Sequence, residues 1–195
     1  MAQFPEIKDP KRRTYAGMVY AVDRGVGRLV QALKETGALD QTLIVFFSDN
    51  GGKLGLGANN FPLREGKGSA FEGGTRVPMF FHWPGQVPAG RTFQYPVSAL
   101  DLYPTFANLA GAAIPEGKTL DGLDLWKDFL EGRNPRADSL LFVTRHRNGY
   151  HDVSARLGGW KICRVSNQPW KLFNLEQDIS EKLDLSTRHP DRVKS

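Results

Sequence analysis

One cysteine, Cys163, occurs in 195 residues, which excludes a disulfide within the chain. It lies in the strand-like run WKIC, where a thiol packs as a small buried hydrophobe more readily than it acts as a nucleophile. No apolar run approaches the roughly 20 residues of a membrane span, and the opening MAQFPEIKDPKRR has no apolar signal core. Aromatic and basic residues do not interleave, and no nucleic-acid-binding motif is present. His82, His146, His151 and His189 show no metal-ligand spacing, no Ser–His–Asp arrangement is readable, and no phosphate-cradling glycine motif precedes a helix. There is no internal repeat, and nothing here fixes a compartment.

Apolar residues make up 40% of the chain and charged residues 24%, so a folded core is expected and disorder is not. The net charge of +5 gives a weak preference for anionic partners. Basic residues cluster at Lys8, Lys11, Arg12 and Arg13, and again at Arg145 and Arg147; such clusters read as a solvated face or as recognition of an anionic polymer. The 21 glycines exceed the average share of roughly 7%, and many fall between Gly51 and Gly74.

Residues 1–13, with Pro5 and Pro10, read as an extended lead-in. Tyr15, Met18, Val19, Val22, Val26, Leu29, Val30 and Leu33 then recur at three- and four-residue steps, one face of an amphipathic helix stopped by Gly37. TLIVFF (42–47) is an unbroken β-favouring run, as in a strand covered on both faces in a parallel sheet. In such sheets the functional crevice lies beyond the carboxyl ends of the strands, which here means Ser48-Asp49-Asn50-Gly51-Gly52. A long glycine-rich stretch follows, of a length that is usually functional. RVPMFFHW (76–83) predicts a second buried strand. VSALDLYPTFANLAG (97–111) predicts a helix interrupted or opened near Pro104, and LDLWKDFLEG (123–132) a short helix closed by Gly132. Beyond about residue 138, SLLFVTRH, DVSARLG, GWKICRV and PWKLFNL predict a small antiparallel sheet, and the polar tail a partial helix.

Three groups could carry chemistry. Asp49-Asn50 offers carboxylate and amide oxygens suited to a hard cation, although Asp-Asn-Gly-Gly is equally good turn chemistry. Lys67 sits between Gly66 and Gly68, where a ligand can approach the backbone and a lysine can hold an anion; read alone it is also an ordinary loop lysine. Glu72 and Arg76 suit a structural ion pair better than a place in the site. His146 and His151 flank Asn148-Gly149, a turn that could reach over a pocket.

In combination, FFSDNGG, LREGKGSAFEGGTRVP, the strand leading to HWPG, VSALDLYPT and the LDG at 120–122 resemble the sulfatase family of the alkaline-phosphatase-like superfamily. The closing WKLFNLEQDISEKLDLSTRHP resembles that family's C-terminal region. The resemblance implies an α/β fold. Residues 1–137 would be the C-terminal part of a sulfatase core, a mostly parallel sheet with helices. Residues 138–195 would be a small antiparallel subdomain. It also implies sulfate ester hydrolysis, one Ca²⁺ held by three aspartates and an asparagine or close variant, and a formylglycine made from cysteine or serine. Matched by motif, Asp49 and Asn50 are two of the calcium ligands and Lys67 is the lysine that contacts the substrate's sulfate.

The sequence departs from the family pattern in what it lacks. No Cys/Ser-x-Pro-x-Arg modification motif occurs in the 195 residues, and no Asp-Asp pair supplies the remaining carboxylates. The expectation is therefore a sulfatase C-terminal segment, inactive as this isolated chain, with weak or absent Ca²⁺ binding. Its partner would be a sulfate ester, including a sulfated glycan, and the uncovered strand edges would favour a homo-oligomer or a partner segment. Two alternatives stand beside it: a non-catalytic module that binds sulfated glycans or assembles with a partner, and a phosphate-ester hydrolase of the same superfamily.

Overall fold

A computed structural model describes residues 4–147 and 149–194. Asn148 of the expected Asn-Gly turn and the side chain of Arg147 lie outside the described residues. The first helix, α1 (Pro10–Glu35), begins earlier than the lead-in reading placed it. Asp9 caps it, its carboxylate accepting the Lys11 N–H at 2.9 Å. Pro10 takes the first helical position, where its missing N–H is no loss. Gly37 follows the C-cap with φ +69°, as its position in the sequence implied.

The apolar stripe of α1 forms as its periodicity requires, yet nothing on it is buried: Met18 is 54% exposed, Val22 54% and Leu29 67%. Amphipathic faces normally exist to be covered, so this face is open to a partner surface.

Strand β1 (Ile44–Phe47) leads to the Ser48–Gly52 turn, a glycine-rich crossing, the four-residue helix α2 (Glu72–Thr75) and strand β2 (Met79–His82). β1 and β2 pair antiparallel, Ile44 opposite His82 and Phe47 opposite Met79. That corrects the parallel pairing read from TLIVFF. An apolar run reports cover on both faces and not strand direction, and here the link between the strands folds back without the long helical crossover that parallel neighbours need. The cover is also incomplete, since Phe46, Phe47 and Phe80 are exposed.

Ser98 opens the next helical segment through a capping box. Its backbone N–H donates to Asp101 Oδ2 at 2.7 Å, and α3 (Leu102–Leu109) continues with Pro104 in its first turn. The short helix α4 (Trp126–Glu131) ends at Gly132, φ +71°. Asp101 is fully buried, accepts the Leu123 N–H at 2.8 Å and pairs with the buried Arg136.

The C-terminal strands β3 (Leu141–Arg147), β4 (Tyr150–Leu157), β5 (Trp160–Val165) and β6 (Lys171–Asn174) form an antiparallel meander in sequence order, as their spacing predicts. A short helix, α5 (Pro190–Lys194), closes the described chain. Cys163 of β5, Phe173 of β6 and Leu175 pack with Ala70 and Phe71 from the glycine-rich crossing. Cys163 is 1% exposed, and burial pushes its thiol up to about 11, as expected of an inert thiol. The main apolar core therefore joins the crossing to the C-terminal sheet.

Candidate active site

Backbone contacts, more than side chains, bring Asp49-Asn50 and Lys67 together. The Gly51 N–H donates to Gly74 O at 2.9 Å, and the Lys67 N–H donates to Gly52 O at 3.1 Å. Four glycines make this possible because the strands of backbone touch where side chains would stand. A Cβ on Gly51 would lie 1.7 Å from Gly73 O, and one on Gly66 would lie 2.3 Å from Gly52 O. Cβ atoms on Gly73 and Gly74 would meet Arg64 O at 2.3 Å and Ser69 O at 2.2 Å. The glycine excess in this stretch thus has a steric cause.

Asn60 ties the node. Its Oδ1 accepts the Gly52 N–H at 3.0 Å, and its Nδ2 donates to Gly52 O at 2.9 Å and Glu65 O at 2.8 Å. One amide side chain therefore clips the Asp49–Gly52 turn to the segment carrying Lys67. Sequence reasoning passed over it. The only signal is the local one that asparagine amides imitate backbone groups in loops. Asn60→Ala should lower stability by about 1–3 kcal/mol by stranding these groups. Asn60→Asp should do more damage, because a carboxylate would face two carbonyl oxygens without a proton to give. Urea titrations of both variants decide, and Asn60→Asp proving the milder change would sink this account.

At the tip of the turn Asp49 is exposed and Asn50 half-buried. Ser48 Oγ donates to the Asn50 carbonyl at 2.8 Å, and the Asn50 amide Nδ2 donates to Gly51 O at 3.2 Å. Both acid and amide are oxygen donors of the kind a hard cation takes. They fit as part of a calcium shell and not the whole, since Ca²⁺ takes about six to eight oxygens and no cluster of three metal-ligating acids, histidines or cysteines occurs among the described residues. Lys67 is exposed, and its ammonium has no ion-pair partner among the described residues.

Glu72 and Arg76 form the structural ion pair expected of them, 2.8 Å apart. Sequence reasoning missed the larger network to which they belong. Lys161 of β5 reaches Glu72 Oε1 at 2.8 Å and Glu181 Oε1 at 3.0 Å, all three side chains being buried. Glu181 Oε2 accepts the Glu72 N–H at 2.6 Å, and its carbonyl accepts from Arg64 at 2.8 Å. Burial tends to raise the Glu72 carboxyl, but Lys161, with Arg76 and Arg156 behind it, holds it below its ordinary value. At Glu181 burial prevails over Lys161 and the carboxyl is pushed up.

Two members of the N-terminal basic cluster hold the same loop, and a third holds the lead-in to α1. Lys11 reaches Gly55 O, Arg12 donates to Gly57 O at 2.9 Å, and Arg13 donates to Ile7 O at 2.7 Å. A cleft of about 720 Å³ lies between the β1–β2 pair and the C-terminal sheet. Asp49 borders it together with Phe47, Phe80 and Phe142, while Asn50 and Lys67 do not.

Comparison with known proteins places the chain in a family. The family model described as Sulfatase matches residues 2–112. Arylsulfatase J of Mus musculus is 32% identical over 238 aligned residues, covering 98% of this chain and 40% of that enzyme. The crystal structure of Ps i-CgsB in complex with k-i-k-neocarrahexaose superposes with a TM-score of 0.95 at 59% identity, over 98% of this chain and 43% of that one. The phosphonate monoester hydrolase of Agrobacterium radiobacter is similar at 29% identity and a TM-score of 0.69, over 92% of this chain and 38% of that one. The chain spans well under half the length of these relatives. With the motif strings, the glycine node and the matched family model in agreement, this chain belongs to the sulfatase family.

Proposed function

We propose that this chain supplies one side of a sulfate ester hydrolase site, with Lys67 against the substrate's sulfate and Asp49 and Asn50 as two oxygen ligands of a Ca²⁺. The supporting observation is the 3.1 Å hydrogen bond from the Lys67 N–H to Gly52 O, which sets the ammonium-bearing segment against the turn that carries the acid and the amide. A fixed ammonium offsets charge on the sulfuryl oxygens and on the leaving oxygen as the S–O bond breaks. Bound Ca²⁺ would supply a Lewis-acidic charge at a sulfate oxygen. In the family a formylglycine is the nucleophile, and its precursor motif is missing from these 195 residues. Groups that act as a unit lose nearly all effect when one is missing, so the chain alone should bind without turnover. The substrate class we favour is a sulfated glycan, because the 59% identical Ps i-CgsB was crystallised with an oligosaccharide.

Incubating the purified chain with 4-nitrophenyl sulfate and Ca²⁺ should give release no faster than buffer. Calcium-dependent turnover abolished by Lys67→Ala would overturn the incomplete site while supporting the lysine's role. The likeness to a phosphonate monoester hydrolase gives the phosphate-ester alternative its support. Against it, an amide at position 50 suits a hard cation better than zinc, and phosphate-ester turnover with added Zn²⁺ would reverse that preference. The open apolar face of α1 supports the assembly reading, in which a partner or second copy covers Met18, Val22 and Leu29.

A further inference from the structure

Both ends of the loop that carries Lys67 are tied to one residue of the C-terminal tail. At one end the Arg64 guanidinium donates to the Glu181 carbonyl at 2.8 Å. At the other the Glu72 N–H donates to Glu181 Oε2 at 2.6 Å. The two ends also meet each other. The Gly73 N–H donates to Arg64 O at 2.8 Å, and the Arg64 guanidinium lies over the Phe71 ring, 4.0 Å from its centroid. Residues 64–73 therefore form a loop with a closed neck, and the fully buried Glu181 side chain seals it.

The tail is shaped to present this residue. Glu181 has φ +52°, a left-handed conformation that a β-carbon disfavours. Asp178 holds the turn: its carboxylate accepts the Lys182 N–H at 2.7 Å and the Leu183 N–H at 2.8 Å, and its carbonyl accepts the Glu181 N–H at 3.1 Å. The turn is fastened to β6, where the Leu185 N–H donates to Leu172 O at 2.8 Å and the Leu172 N–H donates to Asp184 Oδ1 at 3.2 Å. Lys161 of β5 meets Glu181 Oε1 at 3.0 Å and fixes the carboxylate from the other side. Buried ion pairs often add little net stability over apolar packing. What the acid adds here is a fixed acceptor aimed at the Glu72 N–H.

We propose that Glu181 is a positioning residue for Lys67: by clasping Arg64 and Glu72 it keeps the neck of the 64–73 loop closed and the Lys67 N–H on Gly52 O. The proposal rests on the Lys67 reading above and brings the C-terminal tail into the working of the site. Lys67 is exposed and its stem is flexible, so the ammonium is placed through the backbone from which the stem starts. A closed neck fixes that backbone before an anion arrives, and the ordering cost is then not charged against binding.

Hydrogen exchange of the full chain, read by mass spectrometry on peptides spanning residues 62–75 and on β3 and β4, tests this together with isothermal titration of sodium sulfate. Glu181→Ala and Arg64→Met should each speed exchange across 62–75 about tenfold relative to β3 and β4, the scale of one lost hydrogen bond. Each should weaken sulfate binding by a similar factor. Glu181→Gln keeps an acceptor for the Glu72 N–H and should recover most of both. Leu125→Ala, a core truncation beside α4, should speed exchange without singling out 62–75. Arg64→Met leaves the three buried charges in place, so it keeps the test sound if Glu181→Ala does not fold. Exchange that rises evenly along the chain in the Glu181 and Arg64 variants, as in Leu125→Ala, makes Glu181 merely structural and overturns the proposal. Faster loop exchange with unchanged sulfate affinity, where Lys67→Ala has lost that affinity, overturns it as well. Sulfate affinity equal in the unmutated chain and Lys67→Ala sinks the Lys67 reading instead, and the local exchange result then upholds the clasp alone.

Discussion

Replacing Lys161 with methionine should destabilise the chain by about 3–5 kcal/mol, the usual result of removing one member of a buried ion pair. The substitution keeps the length of the stem and removes the ammonium shared by the buried carboxylates of Glu72 and Glu181. Glu181 also accepts the Glu72 N–H, so with Arg76 left as the remaining partner of Glu72 the repulsion between the carboxylates would fall on the entry to β2 and on the C-terminal segment together. Urea unfolding followed by tryptophan fluorescence measures the loss; a change under 1 kcal/mol would mean that water reaches the triad. The triad also sets the acid response. The carboxyl of Glu181 is raised, so the folded chain binds its proton more readily than the unfolded chain, and stability from this group grows as pH falls towards 4.5. Glu72 is lowered, so its contribution is present above 4.5 and lost as pH falls below it. Glu181→Gln should remove the first slope and leave the second.

The second large effect is expected at Gly51. Alanine there places a methyl group 1.7 Å from Gly73 O, an overlap with backbone that no rotamer change relieves. The Gly51–Gly74 hydrogen bond must break or the α2 segment must move. A loss of about 3 kcal/mol or more follows from the upper range of overpacking. Because the same contact holds Asp49-Asn50 against the Lys67 segment, ligand affinity should fall with it. An alanine variant with native stability in urea unfolding would show that the glycine node does not hold these segments together.

Much of the local structure was legible. The three- and four-residue spacing of Met18, Val22 and Leu29 gave the long helix, and Gly37 and Gly132 marked helix ends because each takes positive φ where a side chain would strain the turn. Four short β-favouring runs with turn residues between them gave the C-terminal meander. The family motifs located Asp49, Asn50 and Lys67 as candidates. The direction of the β1–β2 pairing was not legible, since apolar continuity carries no sign. Nor was the engagement of Arg12 by Gly57 O, because a basic cluster looks the same whether its donors meet water or a carbonyl 45 residues away.

What the sequence determined by itself was family, helix and strand content, and the residue types able to meet a sulfate and a hard cation, because these follow from local spacing and side-chain chemistry. Only the tertiary structure decided that four glycines let three backbone segments touch, that Asn60 clips them, and that Lys161 is shared by carboxylates 89 residues before it and 20 after it. It likewise decided that a hairpin arginine meets Gly68. These are pairings between residues far apart in the chain, and a linear pattern holds no record of which distant segments will share a surface.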